Sequence, residues 1–274
     1  MSTLLGQLRT LRKQAGVITA PKERTVVPDD LRKLLGMRMA LQKRGYSRDR
    51  TLPGVEFSPG VLYLEEFFDC ADSPNIINAE FAKFGSIRHE HCLYFDTETT
   101  GLSGGTGTRA FMIGAADWLD GQLRVRQLYL TKMSGELAML REFATWLQPD
   151  TVLVSYNGRC YDSPLLKTRY RLARLPDPIS PLRHLDLLFP TRRFYRGVWE
   201  NCKLSTVERK ALGVIREDDL PGSEAPRAWR DYLRGESAND FRRVIQHNSQ
   251  DMKSLHSLLI HLSEFNCDKL LTPP

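Results

Sequence analysis

Residues 93–101 of the chain read LYFDTETTG, an apolar run that ends in two acids separated by one residue. The apolar residues predict a buried strand, in which Asp96 and Glu98 point to the same side because side chains alternate along a strand. Two neighbouring carboxylates repel each other and lose hydration on burial, which is costly unless a cation lies between them. The stretch therefore predicts a cation site at the end of a core strand. A polar strand end in solvent is the alternative.

A third acid follows a second expected strand. Residues 151–155, TVLVS, form a short β-branched run, and Asn157 and Gly158 then turn the chain. Asp162 stands at the start of a helix expected over 163–173, with a proline tolerated in its first turn. By itself Asp162 would be interpreted as a helix cap. Beside the first two acids it becomes a candidate ligand of the same cation.

A fourth acid lies on a long amphipathic helix expected over 238–262. His247 and Asp251 are four residues apart and so share one face of that helix. The apolar stripe continues near them, so both polar groups are expected to face inward or into a cleft. A weak surface pair is the alternative. We assign no role to His256 and His261.

Four carboxylates at the ends of core elements suit a hard divalent cation. Carboxylate oxygens are good ligands for Mg²⁺ or Mn²⁺. Two such ions can activate a water and stabilise the leaving oxygen of a phosphodiester. The acids therefore point first to a metal-dependent nuclease.

Five motifs of the chain resemble those of an exonuclease superfamily. They are DTETTG at 96–101, SGGTGT at 103–108, YNG and YDSP within 156–164, HLDLL at 184–188 and HNSQD at 247–251. Together they resemble the DEDD, or DnaQ-like, exonucleases, which have a ribonuclease H-like fold, and more closely the YprB-like predicted exonucleases. The resemblance extends from about residue 54 to residue 262.

The resemblance implies a 3′→5′ exonuclease that uses two divalent ions, Mg²⁺ or Mn²⁺. It implies Asp96, Glu98, Asp162 and Asp251 as the metal ligands and His247 as the general base. The superfamily places a histidine five residues, or a tyrosine four residues, before the last acid. This chain has a histidine at the four-residue spacing. One helical residue is a large rotation about the axis, so this spacing moves the imidazole relative to the histidine branch.

The order of expected elements predicts an α/β fold, a ribonuclease H-like mixed five-stranded sheet flanked by helices. We expect strands near 55–64, 92–97, 110–119, 122–130, 151–155 and 183–188, and helices near 134–147, 162–173, 203–212 and 238–262. The strands between 92 and 130 are joined by turns, among them Asp120-Gly121, and should form an antiparallel meander. Later strands alternate with helices, which implies parallel additions.

Candidate substrate contacts surround the acid motifs; they are Thr99, Gly101, Asn157, Tyr161 and Arg193. Arg193 lies at 192–196, where arginines interleave with two aromatic residues in what we interpret as a loop. Such a mixture can contact phosphate and stack a base, although a solvated loop is the alternative. The glycine-rich stretch 103–108 is expected to form a hairpin beside the metal site, or a simple turn. Asp186 is interpreted as support for the metal ligands or as a strand-end acid.

The positive charge of the chain is concentrated in its first 50 residues, which hold 12 basic and 4 acidic residues. We therefore divide the chain into a basic helical N-terminal arm, 1–53, with helices expected at 2–14 and 30–43, and an exonuclease domain, 54–274. Basic arms often hold nucleic-acid backbones, and a solvated face or a protein-docking segment is equally compatible with the pattern.

Composition excludes several other classes of protein. The five cysteines form no closely spaced pair, which argues against a zinc site or a disulfide framework and favours a reducing cytoplasm. The sequence has no run of eighteen apolar residues, so we expect no membrane contact. The expected partner is a DNA or RNA substrate. Alternative functions are a ribonuclease H-type or structure-selective endonuclease and a non-catalytic nucleic-acid-binding module.

Overall fold

The computed structural model describes residues 49–70, 73–101 and 106–264. These residues belong to one compact unit, which spans 48–274. The two helices expected in the N-terminal arm, at 2–14 and 30–43, lie outside the described residues. Residues 49–53, which the sequence division assigns to that arm, contact the last helix: the Ala238 amide donates to the Asp49 carbonyl at 2.8 Å.

A seven-stranded mixed sheet forms the centre of the unit, with the strand order β1-β2-β7-β6-β5-β8-β9. Its strands are β1 Val55–Ser58, β2 Val61–Asp69, β5 Cys92–Thr99, β6 Ala110–Leu119, β7 Gln122–Leu130, β8 Val152–Ser155 and β9 Arg183–Asp186. The pairs β5–β8 and β8–β9 are parallel, and the others are antiparallel. A separate small hairpin consists of β3 Ile76–Asn78 and β4 Ser86–Arg88.

In the described part of the chain, six α-helices flank the sheet: α1 Glu136–Thr145, α2 Asp162–Leu172, α3 Leu188–Tyr195, α4 Leu204–Val207, α5 Ala225–Leu233 and α6 Asn239–Ser263. A π-helical turn, Glu208–Leu212, continues α4. Within the described ranges, no helix combines the length and the apolar character needed to cross a bilayer.

The mixed α/β architecture expected from the sequence is confirmed, but the sheet has seven strands where we expected five. The segment expected as one strand at 55–64 is a hairpin: β1 and β2 reverse around Gly60, which has φ +87°, and β2 pairs with β7. The Asp120-Gly121 turn is confirmed, with both residues at positive φ as a tight hairpin requires. Helices α3 and α5 were not expected, and the segment 192–196 is mostly helix, not loop.

Alternation along β5 divides its side chains between the two cores of the domain. Leu93 and Phe95 pack in the core that contains α1 and α2, whereas Cys92 and Tyr94 pack in the core that contains the second half of α6. By the same alternation, the side chains of Asp96 and Glu98 lie on the α6 side of the strand, and the side chain of Thr97 faces α2. The strand therefore presents acids to one helix and a hydroxyl to the other.

Candidate active site

The acids of β5 lie under α6, and a small residue on β6 lets the helix approach. Asn248 of α6 donates through Nδ2 to Asp96 Oδ2 at 3.2 Å, and its Oδ1 accepts a bond from Gln127 at 2.9 Å. Gly114, the partner of Asp96 across the β5–β6 pair, lies directly beneath Asn248; a Cβ there would be 1.9 Å from Asn248 Oδ1. Glu98, two residues further along β5 and on the same face, is 8% exposed.

Asp162 is the first residue of α2, and its carboxylate turns toward β5. Its Oδ1 accepts bonds from the Thr97 amide at 3.1 Å and from the Thr97 hydroxyl. Tyr161, not Asp162, occupies the N-cap position of the helix. The capping interpretation is therefore wrong for Asp162, and the acid is joined to the strand that carries the first pair.

The loop before Asp162 is held by Asp186 at the end of β9. The buried Asp186 carboxylate accepts the backbone amides of Asn157 at 2.7 Å, Arg159 at 3.1 Å and Leu188 at 3.1 Å. Asn157 has φ +69°, a left-handed conformation that asparagine tolerates better than most residues. Asp186 thus shapes the turn that delivers Asp162.

His184, which stands in the HLDLL motif but was given no role from the sequence, braces the same turn. Its ring nitrogens lie 2.8 Å from Ser155 Oγ and 3.2 Å from Ser163 Oγ. Burial lowers the pKa of His184 to about 4, with Arg159 and Lys167 acting in the same direction. The imidazole is therefore neutral and serves as a hydrogen-bonding strut at ordinary pH.

His247 and Asp251 lie on one face of α6, as their spacing predicts, and both face the acids of β5. His247 Nε2 is 3.4 Å from Asp251 Oδ2. One ligand atom from each of Glu98, His247 and Asp251 lies within 4.8 Å of the others. The four-residue spacing therefore brings the imidazole directly against the last acid.

Three charged residues that the sequence did not reveal surround this end of the site. Arg216 donates to Asp251 Oδ1 at 2.5 Å and to both oxygens of Glu208 at 2.5 and 2.8 Å. Glu208, in the π-helical turn, is only 1% exposed. Asp219 Oδ1 is 2.7 Å from His247 Nδ1. In the sequence Arg216 and Asp219 lie in the mixed-charge run REDD at 216–219, and Glu208 lies in the helix expected over 203–212, so only their tertiary contacts distinguish them.

Burial and mutual repulsion disfavour the ionised forms of the acids. The pKa of Asp96 is raised well above its usual range by burial and then by Asp162, Asp251 and Glu98. Burial raises the pKa of Glu98 to about 8, against the opposing effect of His247. Burial raises the pKa of Asp162 to about 6, although the bonds from Thr97 oppose it. For His247, burial favours the neutral form, but Asp251 and Asp219 outweigh it and raise the pKa.

The residues present fit a divalent metal ion. The donor set is four carboxylates and one imidazole. The carboxylates suit either Mg²⁺ or Mn²⁺, whereas the imidazole favours the softer Mn²⁺. Among the residues that the structure describes, Asp96, Glu98 and Asp162 have no Lys or Arg partner within 4.0 Å, whereas Asp251 has Arg216. A cation would relieve the repulsion that raises their pKa values.

The five candidate substrate contacts lie in different surroundings. The Thr99 hydroxyl donates to the Gly101 carbonyl at 2.9 Å, and a Cβ on Gly101 would meet nothing within 4 Å. Tyr161, next to Asp162, is 61% exposed. The Asn157 amide is taken by Asp186, and Arg193 donates to the Phe81 carbonyl at 2.7 Å. The glycine-rich stretch lies partly outside the described residues; its end contacts α2 through Arg169 and the Thr106 carbonyl.

Comparison with known proteins places the chain in a family. The profile of the RNase_H superfamily matches residues 93–263, more than half of the chain. The uncharacterized protein YprB of Bacillus subtilis (strain 168) is 38% identical over 172 residues, which are 62% of this chain and 41% of YprB. The chain therefore spans about two fifths of the length of that relative.

Two solved structures are more distantly similar. The family B DNA polymerase from the hyperthermophilic archaeon Pyrobaculum calidifontis gives a TM-score of 0.49 at 17% identity, over 61% of this chain and 24% of the polymerase. A product-bound structure of exonuclease I gives a TM-score of 0.38 at 15% identity, over 57% of this chain and 46% of that one. The family match, in contrast, runs from β5 to the end of α6 and includes all four acids and His247. On that match, the chain belongs to the RNase_H superfamily.

Proposed function

We propose that this protein is a metal-dependent 3′→5′ exonuclease that hydrolyses phosphodiester bonds of DNA or RNA with two divalent ions, Mg²⁺ or Mn²⁺. One observation carries the proposal: carboxylates from β5, α2 and α6 converge, with an imidazole beside them and little cationic compensation. A folded protein has no structural use for such a cluster, because buried like charges cost stability. Membership of a nuclease-rich superfamily supports the same conclusion.

In this proposal the four acids, Asp96, Glu98, Asp162 and Asp251, hold the ions. Bound there, divalent ions would lower the pKa of an attacking water and stabilise the leaving 3′ oxygen. The chain supplies the orientation: Thr97 fixes Asp162, Asn248 fixes Asp96 and Arg216 fixes Asp251. Each of these three acids thus keeps one oxygen bonded to the protein, and such supporting bonds set the direction of the other oxygen.

His247 is the proposed general base, because its Nε2 lies 3.4 Å from Asp251 Oδ2 and its ring lies beside Glu98, where a water between the acids and a phosphate would sit. A base within hydrogen-bond reach of that water takes its proton as the phosphorus–oxygen bond forms. The alternative role for this imidazole, direct ligation of an ion, uses the same nitrogen. The structure supports either role at this spacing, and we keep His247 in the catalytic set.

A basic recess beside α3 is the proposed path of the nucleic-acid backbone. Its volume is about 460 Å³, and its lining includes Arg192, Arg196, Trp199 and Lys203. The three cations of this lining have no ion-pair partner in the described part of the chain. The recess adjoins the Asp162 loop, since the Tyr156 hydroxyl donates to the Cys202 carbonyl at 2.6 Å. Exposed cations near an aromatic ring suit phosphates and bases of a single strand.

The five candidate substrate contacts fit this path unequally. Gly101 borders open space after the end of β5, where the Thr99 hydroxyl is bonded to its carbonyl, and Tyr161 offers an exposed ring beside Asp162. Asn157 contributes through the shape of its turn, because its amide is already bonded. Arg193 is held by Phe81, so within the proposal Arg192 and Arg196 are better placed than Arg193 to contact phosphate.

The division of the chain into a basic arm, 1–53, and an exonuclease domain, 54–274, remains part of the proposal. The arm would hold a nucleic-acid backbone, and its charge is the support for that role. Deleting residues 1–48 should weaken binding of single-stranded oligonucleotides and reduce its salt dependence if the arm contacts phosphates. A protein-docking arm would leave both unchanged.

Hydrolysis of oligonucleotides tests the proposed function. The purified protein is incubated with 5′-labelled single- and double-stranded DNA and RNA, with Mn²⁺ and with a chelator. We expect stepwise shortening from the 3′ end that requires metal and is lost in Asp96→Ala, but not in the control Asp240→Asn, whose exposed acid lies at the start of α6. Internal cuts would favour an endonuclease. Binding without hydrolysis, or full activity in Asp96→Ala, would refute the proposal.

A further inference from the structure

Asp219, a residue outside every motif of the chain, contacts the far nitrogen of the proposed base. Its Oδ1 lies 2.7 Å from His247 Nδ1, and its Oδ2 lies 3.8 Å from Arg216 Nη1. His247 Nε2, the other ring nitrogen, lies 3.4 Å from Asp251 Oδ2, and Glu98 lies beside these two side chains. The imidazole is therefore held between one acid outside the metal centre and two acids inside it.

The segment that carries Asp219 is fixed to the rest of the domain. Arg216, three residues earlier, is anchored by the buried Glu208 and by Asp251. From α6, Arg243 donates to the carbonyls of Asp218 at 3.1 Å and of Asp219 at 3.4 Å. These two independent anchors make the contact of Asp219 with His247 a defined part of the fold.

Hydrogen-bond geometry decides which nitrogen of His247 carries the proton. Nδ1 has two neighbours, the Asp219 carboxylate at 2.7 Å and Arg216 Nη1 at 3.0 Å. A carboxylate only accepts and a guanidinium only donates, so a neutral ring can satisfy one of them. The contact with Asp219 is the shorter, and Nε2 has only longer contacts, with Asp251 Oδ2 at 3.4 Å and with Arg216 Nη1 at 3.5 Å. Nδ1 therefore donates to Asp219, and Nε2 keeps its lone pair.

We infer that Asp219 is a positioning residue that fixes His247 in the Nδ1-protonated tautomer, with the Nε2 lone pair facing the metal-binding acids. This arrangement is required whether Nε2 takes a proton from water or binds an ion, since both need an unprotonated nitrogen. An acid that orients a histidine in this way acts through the histidine and does not touch the substrate. The effect on catalysis rests on the proposed function, whereas the assignment of the tautomer does not depend on it.

Nitrogen-15 NMR of the metal-free protein tests the inference without any activity assay. Histidine-labelled protein is measured at about pH 9, where an imidazole is neutral unless strongly perturbed, and His247→Asn assigns the signal among the six histidines. We expect a protonated Nδ1 and an unprotonated Nε2 at His247. In Asp219→Asn the new amide can donate to Nδ1, so we expect the tautomer to shift toward protonated Nε2.

Asp218→Asn is the matched control, because the neighbouring Asp218 is 84% exposed at its side chain and pairs with Arg243, not His247. Its φ of +52° suits asparagine as well as aspartate. The control should keep the wild-type tautomer. A protonated Nε2 in the wild type, or an unchanged tautomer in Asp219→Asn, overturns the inference.

Kinetics then measures the consequence for the proposed reaction. Asp219→Asn should lower kcat by roughly 10- to 100-fold with little change in KM, as expected for a group that orients a reacting side chain. Asp218→Asn should match the wild type. If the wild type hydrolyses no oligonucleotide, the proposed function fails while the tautomer result still stands or falls by itself. If the wild type is active and the Asp219→Asn tautomer shifts without loss of kcat, the positioning role is refuted.

Discussion

Thr97 shows how a neutral side chain at the site determines the position of an acid. Its amide and hydroxyl both donate to Asp162 Oδ1 and reach it because alternation along β5 turns Thr97 toward α2. The same bonds oppose the rise in the Asp162 pKa that burial causes. The threonine therefore supports the ionised form of a proposed metal ligand without being a ligand itself.

Replacing Thr97 with valine should weaken metal binding while leaving every carboxylate in place. Loss of the hydroxyl frees one lone pair of Asp162 and loosens its orientation, so we expect the affinity for Mn²⁺ to fall roughly 10-fold or more. Calorimetric titration measures the change. Thr168→Val, which removes a hydroxyl bonded to the Pro164 carbonyl on α2, is the control and should titrate like the wild type. Equal affinities for Thr97→Val and the wild type would contradict this role.

The residues that could be predicted from the sequence are those whose spacing within one element decides their direction. Asp96 and Glu98 share a strand face, and His247 and Asp251 share a helix face, so local periodicity was sufficient for them. Arg216 and Asp219 reach the site from a separate segment, and Asn248 reaches Asp96 only because Gly114 lets α6 approach. Such contacts depend on how elements pack, for which a single sequence has no local signal.

Two buried histidines connect elements on the α6 side of the sheet. His89, in the short 3₁₀ turn before β5, stacks on Trp118 with ring centroids 4.5 Å apart and on His256 of α6 at 5.1 Å. His89 is fully buried, and His256 is 3% exposed. Burial lowers the pKa of each to about 4, and each ring has a neighbouring hydrogen-bonding group, Tyr94 or Ser73. Both are therefore neutral parts of a packed core.

Stability should fall as the pH falls through the window between the unfolded and folded histidine pKa values. The unfolded chain binds a proton at each histidine near pH 6.5, whereas in the folded protein each histidine stays neutral until about pH 4. Between these two pH values, proton binding therefore favours the unfolded chain. From about pH 7 to about pH 5, each histidine should cost on the order of 2 kcal/mol. The stabilisation by the two neutral histidines is complete above the histidine pKa of the unfolded chain.

Urea unfolding of His256→Gln isolates this effect from that of the acids. Glutamine can bond Ser73 but does not titrate, so the free energy of unfolding should depend less on pH in the variant than in the wild type. His91→Gln, at a partly exposed ion pair with Asp150, is the control. A wild-type pH dependence in His256→Gln would show that His256 does not titrate as argued.

The contact between β6 and α6 leaves no room for a methyl group at Gly114. A Cβ would lie 1.9 Å from Asn248 Oδ1, and Asn248 cannot move aside without leaving Gln127 and Asp96. Gly114→Ala should therefore lower the free energy of unfolding by about 1–3 kcal/mol and weaken Mn²⁺ binding. Gly107→Ala, with open space around its Cβ, is the control. Wild-type stability and metal affinity in Gly114→Ala would contradict this packing.

Elements with a strong period were predicted, and elements that depend on neighbours were not. The meander, β8, α2 and α6 have clear strand or helix patterns. Helix α3 begins one residue after the end of β9. Because arginines interleave with aromatic residues near its end, we predicted a substrate-binding loop there. Its burial is supplied by other elements: Phe194 and Tyr195 pack on the core that α6 forms with the sheet. Strands β1 and β2 were merged because the short turn at Gly60 interrupts the pattern only briefly.

The position of the basic recess relative to the whole molecule gives a prediction about substrate binding. Replacing Arg192 and Arg196 with glutamine should weaken binding of a single-stranded oligonucleotide in metal-free buffer. The slope of log affinity against log salt should decrease by about 0.7 for each phosphate that the variant no longer neutralises. Fluorescence anisotropy at several salt concentrations measures both quantities.

The matched control for the recess removes two arginines from α5 and the residue after it, Arg227 and Arg234. Both are largely exposed, and α5 packs in the core that contains α1 and α2, whereas Trp199 of the recess packs against the other core. Arg227→Gln/Arg234→Gln makes the same change in net charge. If the two double variants lose the same affinity and the same salt slope, the effect is one of net charge, and the recess is not the binding path.

At the scale of the whole molecule, three elements far apart in the sequence must bring their carboxylates together to bind metal. Calorimetric titration with Mn²⁺ of the wild type, Asp96→Asn, Asp162→Asn and Asp251→Asn, with Asp240→Asn as the control, measures this convergence. We predict saturable binding by the wild type and by Asp240→Asn, and a large loss of affinity in each of the other three, although they lie on β5, α2 and α6. A wild type that binds no Mn²⁺, or any of those three variants binding as tightly as the wild type, would contradict the joint site.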